Sequence, residues 1–350
     1  MSIMEKGDAL IGRGIKVAKA RIGLVSNNPS LISSPDYFEG IPHPAVVKGR
    51  GWLIHSQLAN FQIFSVEYQP PPKLDSYFYI LDYNIAESQI FLNNGNLVAL
   101  GNWTALEREV VDKRYTLLGN LGLLFRFILV TLEKNHNIYS FHAAALYDES
   151  SNEMIIALGE RGSGKSALML SALDQGFFKL FATEILHAEV AGDRVIFYKG
   201  TLRNNVRAGH LIYDFPKIKE RIGVEFAKLD NPWGTKVQVD LKDYGTEKDI
   251  IVDPKITIVF PRIEEFNKVS EYHYIKDKRE IKRRLFENIH DRISSLGLIY
   301  EKIPVISLDN YTLMKNRLKF VESFIEVGRI EKAVSLFASP KNCLEGWLRD

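Results

Sequence analysis

Eight consecutive residues, Gly159-Glu160-Arg161-Gly162-Ser163-Gly164-Lys165-Ser166, have the types and spacing that hold a phosphate chain. Glycines at 159, 162 and 164 let the backbone take positive φ and bring N–H groups against an anion where a side chain would stand in the way. Lys165 has the reach of β- and γ-phosphates, and the Ser166 hydroxyl is placed to ligate Mg²⁺ carried by a nucleotide. The expected cofactors are therefore ATP, cradled by residues 159 to 166 and the following Ala167, and Mg²⁺ at Ser166. Another phosphoryl donor stays open.

Such a loop works only between a strand that ends at its first glycine and a helix whose positive end meets the anion. The apolar run Met154-Ile155-Ile156-Ala157-Leu158 supplies the first, and Ala167-Leu168-Met169-Leu170-Ser171-Ala172-Leu173 the second. Upstream, Tyr139 to Leu146 reads as a strand, and the polar turn from Asp148 to Glu153 joins it so closely to the loop strand that the two must pair antiparallel.

Composition bounds what this loop is attached to. The chain has 350 residues, enough for two domains with full cores, and a formal charge of +2, so any nucleic-acid site would have to be local. A single cysteine, Cys343, excludes an intramolecular disulfide and a thiolate metal cluster and fits a reducing, cytoplasmic setting. The N-terminus lacks a signal-peptide pattern, and the apolar stretch from Leu117 to Leu132 is broken by Asn120 and Arg126, so a core helix is expected and no membrane partner.

Residues 1 to about 50 predict loops and short elements. Phe61 to Tyr68, Tyr77 to Leu81 and Gln89 to Leu92 read as strands, with Asn93-Asn94-Gly95-Asn96 a hairpin turn into Leu97-Val98-Ala99-Leu100; together they predict an antiparallel sheet domain. Thr104 is placed to cap one long helix running on through Leu132.

The order His142-Ala143-Ala144-Ala145-Leu146, hairpin, apolar strand, phosphate loop, helix, Gly176 and an apolar strand ending near Ala182 resembles the catalytic domain of the HPr kinase/phosphorylase superfamily, itself related in architecture to phosphoenolpyruvate carboxykinase. The resemblance covers roughly residues 138 to 262. It implies an ATP-type donor, Mg²⁺, and transfer of phosphate to a hydroxyl, often a serine on a protein, a peptide or a small molecule. It also implies a family that often assembles into oligomers. His142 would face the γ-phosphate or the acceptor, with a core or rim histidine the alternative. Where the family carries paired aspartates, this chain has Thr183-Glu184. Glu184 keeps a carboxylate that could accept a hydroxyl proton or hold Mg²⁺ through water, whereas Thr183 is no base at neutral pH. Reversal of the transfer is put in doubt more than the transfer itself.

Beyond the loop, Arg203 and Arg207 come from a predicted glycine-containing loop and could neutralise charge on the transferring phosphate, as could Arg161; a solvated loop is the alternative. His187 and Glu189 sit on the first arm of a predicted hairpin and read as structural. Residues 211 to 235 form an excursion suited to an acceptor-binding lid, and Asp240, Asp253 and Glu264 are second-rank metal candidates. Lys276 to Arg284 opens a helix with Ile281, Leu285, Ile289 and Ile293 at four-residue spacing; its cations are a nucleic-acid contact or a solvated face. Tyr311 to Ala338 reads as helical, with Gly328 a break or close contact.

The expected fold is α/β (α+β): an N-terminal β-rich domain over 1–104, a phosphate-loop kinase-like domain with a leading helix over 105–270, and a C-terminal helical extension over 271–350. The expected activity is ATP/Mg-dependent phosphorylation of an unidentified hydroxyl-bearing acceptor, with Lys165, Glu184, His142 and Arg203 carrying it and Ser166 and Glu184 attending the metal. A kinase or ATPase acting on RNA or DNA, and a catalytically inactive nucleotide-binding regulator, are the alternatives.

Overall fold

The computed structural model describes residues 8–32, 39–41, 50–51, 74–226, 229–264, 270–294 and 297–348. It is a mixed α/β chain that divides into two compact units, one of residues 1–136 with 293–309, the other of residues 137–292 with 310–350. No helix among the described residues is long and apolar enough to cross a membrane.

The first unit is built on six strands: β1 (Ile11–Val17), β2 (Ala20–Ser26), β3 (Glu39–Ile41), β4 (Ser76–Asp82), β5 (Gln89–Asn93) and β6 (Asn96–Gly101), in the spatial order β3-β1-β2-β4-β6-β5. The hairpin expected at Asn94-Gly95 joins β5 to β6, both turn residues having positive φ. The sheet itself corrects the antiparallel expectation, because β2 with β4 and β4 with β6 run parallel. Residues 8–32 are also more regular than expected, since β1 and β2 are seven residues each. The strand expected at Phe61 to Tyr68 lies outside the described residues.

The single long helix is two helices, α1 (Trp103–Glu109) and α2 (Leu123–His136). Asn102, not Thr104, caps the first by accepting from the Ala105 N–H, while the Thr104 hydroxyl donates to Asp82. Between them the backbone folds onto itself: a Cβ at Gly119 or Gly122 would lie 2.2 Å from the Arg114 carbonyl oxygen or 1.9 Å from that of Thr116.

The second unit holds a six-stranded and a four-stranded sheet. Its elements in order are β7 (Ile138–Phe141), β8 (Ala143–Asp148), β9 (Glu153–Leu158), α3 (Lys165–Gln175), β10 (Lys179–Ala182), β11 (Leu186–Ala191), β12 (Arg194–Tyr198), β13 (Arg203–Arg207), α4 (Pro216–Arg221), β14 (Lys236–Asp240), β15 (Ile250–Val252), β16 (Lys255–Ile263), β17 (Glu271–Tyr274), α5 (Lys278–Ser294), α6 (Tyr311–Val327) and β18 (Arg329–Ala338). The large sheet has the order β10-β8-β9-β16-β18-β17, the small one β15-β12-β11-β7, and β13 with β14 forms a separate ribbon.

The strand expected over 139–146 is broken at His142: β7 belongs to the small sheet and β8 to the large one. Its partner breaks in step, β10 pairing with β8 and β11 with β7. One long antiparallel ribbon is thus bent at a corner shared by two sheets, with His142 on one arm and Thr183 to Ile185 on the other. Alternate residues of the large sheet then serve two cores. Ala144, Leu146, Ile155 and Ala157 pack with Leu168 to Leu173 of α3, while Ala145, Met154, Ile156 and Leu158 pack with Ile281, Leu285 and Ile289 of α5 and Phe320 and Phe324 of α6.

The helical expectation for Tyr311 to Ala338 is also corrected. At Gly328 the helix stops, the glycine N–H closing on the Phe324 carbonyl and the backbone turning extended. The run Arg329 to Ala338 then enters the large sheet between β16 and β17.

Candidate active site

The phosphate loop leaves the end of β9 and enters α3, as its residue types require. Gly159, Gly162 and Gly164 have φ of 159°, 90° and 96°, the last two in the region closed to most side chains. The loop is held from below by β16: the Ile263 N–H donates to the Ser163 carbonyl at 3.0 Å, and a Cβ on Gly164 would sit 2.3 Å from the Ile263 Cβ. The Ser163 Oγ is buried and meets no hydrogen-bond partner among the described residues. Gly159 and Gly164 have no room for a Cβ and Gly162 has open space, a turn of the kind that could bring main-chain amides against a phosphate.

Lys165 is buried and folded back on the loop, its ammonium donating to the carbonyls of Gly159 at 2.7 Å and Glu160 at 2.9 Å. Burial pushes its pKa down from 10.5 to about 8, helped by the positive charge of Arg292 and then Lys236 and opposed by Glu184 and Glu160. The charges felt by this ammonium thus come from α5, from the start of β14 and from the corner.

The corner delivers Glu184 and His142 together. The Ala143 N–H donates to the Glu184 carbonyl at 3.1 Å, tying the two arms where they change sheets. Asn288 of α5 grips His142 by its backbone, accepting from its N–H at 2.8 Å and donating to its carbonyl at 3.2 Å. Arg292 lies one turn further along the same helix face. Neither α5 residue stands out in the sequence; only the four-residue step from Asn288 to Arg292, parallel to the apolar stripe, would have singled them out.

Thr183 has a structural task. It is buried, and its hydroxyl lies 2.8 Å from the Thr201 carbonyl and 2.7 Å from that of Arg203, while its N–H also donates to Thr201. The neighbouring Gly200 is obligatory, since a Cβ there would lie 1.9 Å from the Ile185 carbonyl oxygen. These contacts aim β13 at the loop. Arg203 and Arg207 lie on that strand, not in a loop, and the residue turned toward Ser166 is Asn204, buried, with its amide 3.4 Å from the Ser166 hydroxyl. Adjacent residues of a strand face opposite ways, so Arg203 points to the other side, where it pairs with Asp240 at 3.6 Å.

Ser166 and Asn204 stand together at the start of α3, where the Ser166 hydroxyl could ligate Mg²⁺ carried by a nucleotide, and Glu184 is among the charges felt by Lys165. Among the described residues no three His, Cys, Asp or Glu side chains cluster as a metal site. That donor set suits Mg²⁺, which takes its other ligands from phosphate and water. Of the second-rank candidates, Asp240 is engaged by Arg203 and Glu264 by Arg262, and Asp253 sits in a turn with φ of 50°. Arg161 and Glu160 are exposed at the loop's outer edge. His187 is buried against the Ser140 hydroxyl at 2.8 Å, away from the loop.

The cations of α5 do not form an open stripe. Arg279 pairs with Asp277, Lys282 with Glu322, Arg283 with Glu287 and Arg284 with Glu280, the last also lying over the Phe260 ring.

Against known proteins, the chain matches no family profile and no curated sequence. Among solved structures it is similar to the HPr(Ser) kinase/phosphatase from Coxiella burnetii, at 14% identity and a TM-score of 0.23, over 39% of this chain and 76% of that one. So loose an overlap establishes neither a common fold nor a common activity.

Proposed function

We propose that the chain is a nucleotide-dependent phosphotransferase with an alcohol as acceptor. The observation that carries this is the amide cradle of residues 159 to 166 with a buried lysine at its mouth, a hydroxyl at the helix start and a carboxylate within electrostatic reach. Bound Mg-ATP would supply the phosphoryl group and the charge that balances it. The chain's own task is to position and neutralise. On meeting phosphate Lys165 exchanges two carbonyls for anionic oxygens, Arg292 and Lys236 add charge from two further elements, and Asn204 fixes the Ser166 hydroxyl. Glu184, at the corner, would meet the acceptor with its carboxylate, and His142 is held nearby through its backbone.

Calorimetry with Mg-ATP and Mg-GTP, followed by γ-³²P transfer to panels of hydroxyl compounds and peptides, tests the proposal. Binding is expected in the wild type and its loss in Lys165→Ala. Unchanged binding in that variant removes the loop lysine from the site.

One observation favours a second reading, a regulator that binds nucleotide without turning it over: the Thr183 hydroxyl is spent on two carbonyls. Thr183→Asp separates the two. A carboxylate there faces two carbonyl oxygens in a buried site, so on the kinase reading it destabilises by roughly 1–3 kcal/mol and raises no activity. Activity gained in Thr183→Asp from an inert wild type establishes that catalysis was lost at this position.

A further inference from the structure

The excursion between β13 and β14 contains a titratable pair that the phosphate-loop chemistry leaves unused. The chain leaves β13 through Ala208 and Gly209, whose N–H groups donate to the carbonyls of Thr235 and Pro232, both at 2.9 Å. Gly209 lies flat on the Trp233 indole, where a Cβ would come within 2.4 Å of the ring. The next five residues, His210 to Asp214, wind as a π-turn closed by the Phe215 N–H on the His210 carbonyl at 2.8 Å. Widened turns of this sort are uncommon and recur at functional sites.

The turn sets the His210 Nδ1 2.8 Å from the Asp214 Oδ2. A carboxylate at that distance takes the Nδ1–H and leaves the lone pair on Nε2, which no hydrogen bond reaches among the described residues. The ring is seated edge-on to Trp233 at 5.2 Å, yet the side chain keeps 17% of its exposure. Beside it Tyr213, mostly exposed, stacks on Trp233 at 5.9 Å. The excursion is joined to the elements that flank the predicted phosphate loop. Leu211, Phe215 and Ile218 share the core of α3, and the rung before the excursion pairs Arg207 with Lys236, whose charge reaches Lys165.

We propose that His210, held by Asp214, is the general base that takes the proton of the acceptor hydroxyl, with Tyr213 and Trp233 the shelf on which the acceptor rests. This rests on the phosphotransferase reading above. As the acceptor oxygen bonds to the γ-phosphorus, its proton passes to Nε2. The bond from phosphorus to the β–γ bridging oxygen breaks, and its electron pair leaves on the nucleoside diphosphate. Asp214 balances the imidazolium, which then returns the proton to solvent.

Water serves as the probe acceptor. With Mg-ATP and no other acceptor, His210→Ala is expected to hydrolyse about a hundredfold more slowly than wild type with unchanged nucleotide affinity, and added imidazole to restore part of the rate. A merely structural histidine is not rescued by free imidazole. Independently of turnover, ¹⁵N NMR of the nucleotide-free protein should show the His210 proton on Nδ1, and Asp214→Asn should weaken that preference. Wild-type hydrolysis in His210→Ala, a loss that imidazole does not relieve, or a proton found on Nε2 overturns the base. A wild type that binds Mg-ATP but never turns it over overturns the base and leaves nucleotide binding standing, whereas one that binds no nucleotide removes both.

Discussion

Nucleotide binding should be accompanied by uptake of a proton on Lys165. In the unliganded protein its pKa is pushed down to about 8 by burial and by Arg292. At pH 8 about half the molecules therefore carry a neutral amine, at pH 7 about a tenth and at pH 9 about nine tenths. Phosphate oxygens favour the ammonium and return the pKa to or above its ordinary value of 10.5. Binding then takes up about 0.1 proton at pH 7, 0.5 at pH 8 and 0.9 at pH 9, and affinity falls about tenfold from pH 7 to pH 9. Titration calorimetry in buffers of different ionisation enthalpy reads the proton count directly. Lys165→Met abolishes the uptake together with most of the affinity, while Lys165→Arg, charged throughout, abolishes the uptake alone. Uptake that is absent at pH 9, or that persists in Lys165→Arg, refutes the assignment of the depressed group to this lysine.

Two further outcomes follow from the packing. Gly164→Ala combines a φ of 96° with a Cβ 2.3 Å from Ile263, so it should cost roughly 1–3 kcal/mol and remove nucleotide binding, whereas Gly162→Ala, with φ of 90° and open space around it, should cost about 1 kcal/mol; melting temperatures and calorimetry compare them. Burial holds His187 at about 4 against an ordinary 6.5, so between those values the unfolded chain binds the proton and the fold does not. Stability is therefore whole above pH 6.5 and falls as pH drops toward 4, by up to about 3 kcal/mol, a slope that denaturant titrations should find missing from the acid limb of His187→Asn.

The strand, glycine turn and helix around residues 159 to 166 were legible because they are local: the turn's glycines lie within eight positions, and the flanking strand and helix are dictated by the adjoining residues. The hairpins at Asn94-Gly95 and Gly192-Asp193 were legible for the same reason, and so was the α5 stripe, whose four apolar residues are all buried. What escaped depends on pairings distant in sequence. Whether β2 and β4 run parallel is not written in either strand, and the alternation of Arg329 to Ala338 was outweighed by the helix before it, although Gly328 was correctly placed at a change. Nothing near His142 announces a break, and the side chain that bonds its freed backbone groups, Asn288, lies 146 residues away. Which of Arg203 and Asn204 meets Ser166 escapes for a like reason: strand alternation decides it, and residues 203 to 207 form a strand where the sequence predicts a loop.

The bent ribbon also bears on which group can act as a base. At the corner both arms leave one sheet for another, and the main-chain groups freed by the change must be satisfied locally. Ala143 does this with Glu184, His142 with Asn288, and Thr183 with Thr201 and Arg203. A carboxylate in place of Thr183 would withdraw the hydroxyl from the Thr201 and Arg203 carbonyls and set further acceptors against them, so a base at that position costs the corner stability. The excursion is under no such constraint. It is tied at its root by two main-chain bonds, from Ala208 and Gly209, and although Leu211, Phe215 and Ile218 are buried in the core of α3, His210 and Asp214 bond to each other and not to the corner. Acid–base chemistry placed there, on His210 and Asp214 as proposed, leaves the corner intact.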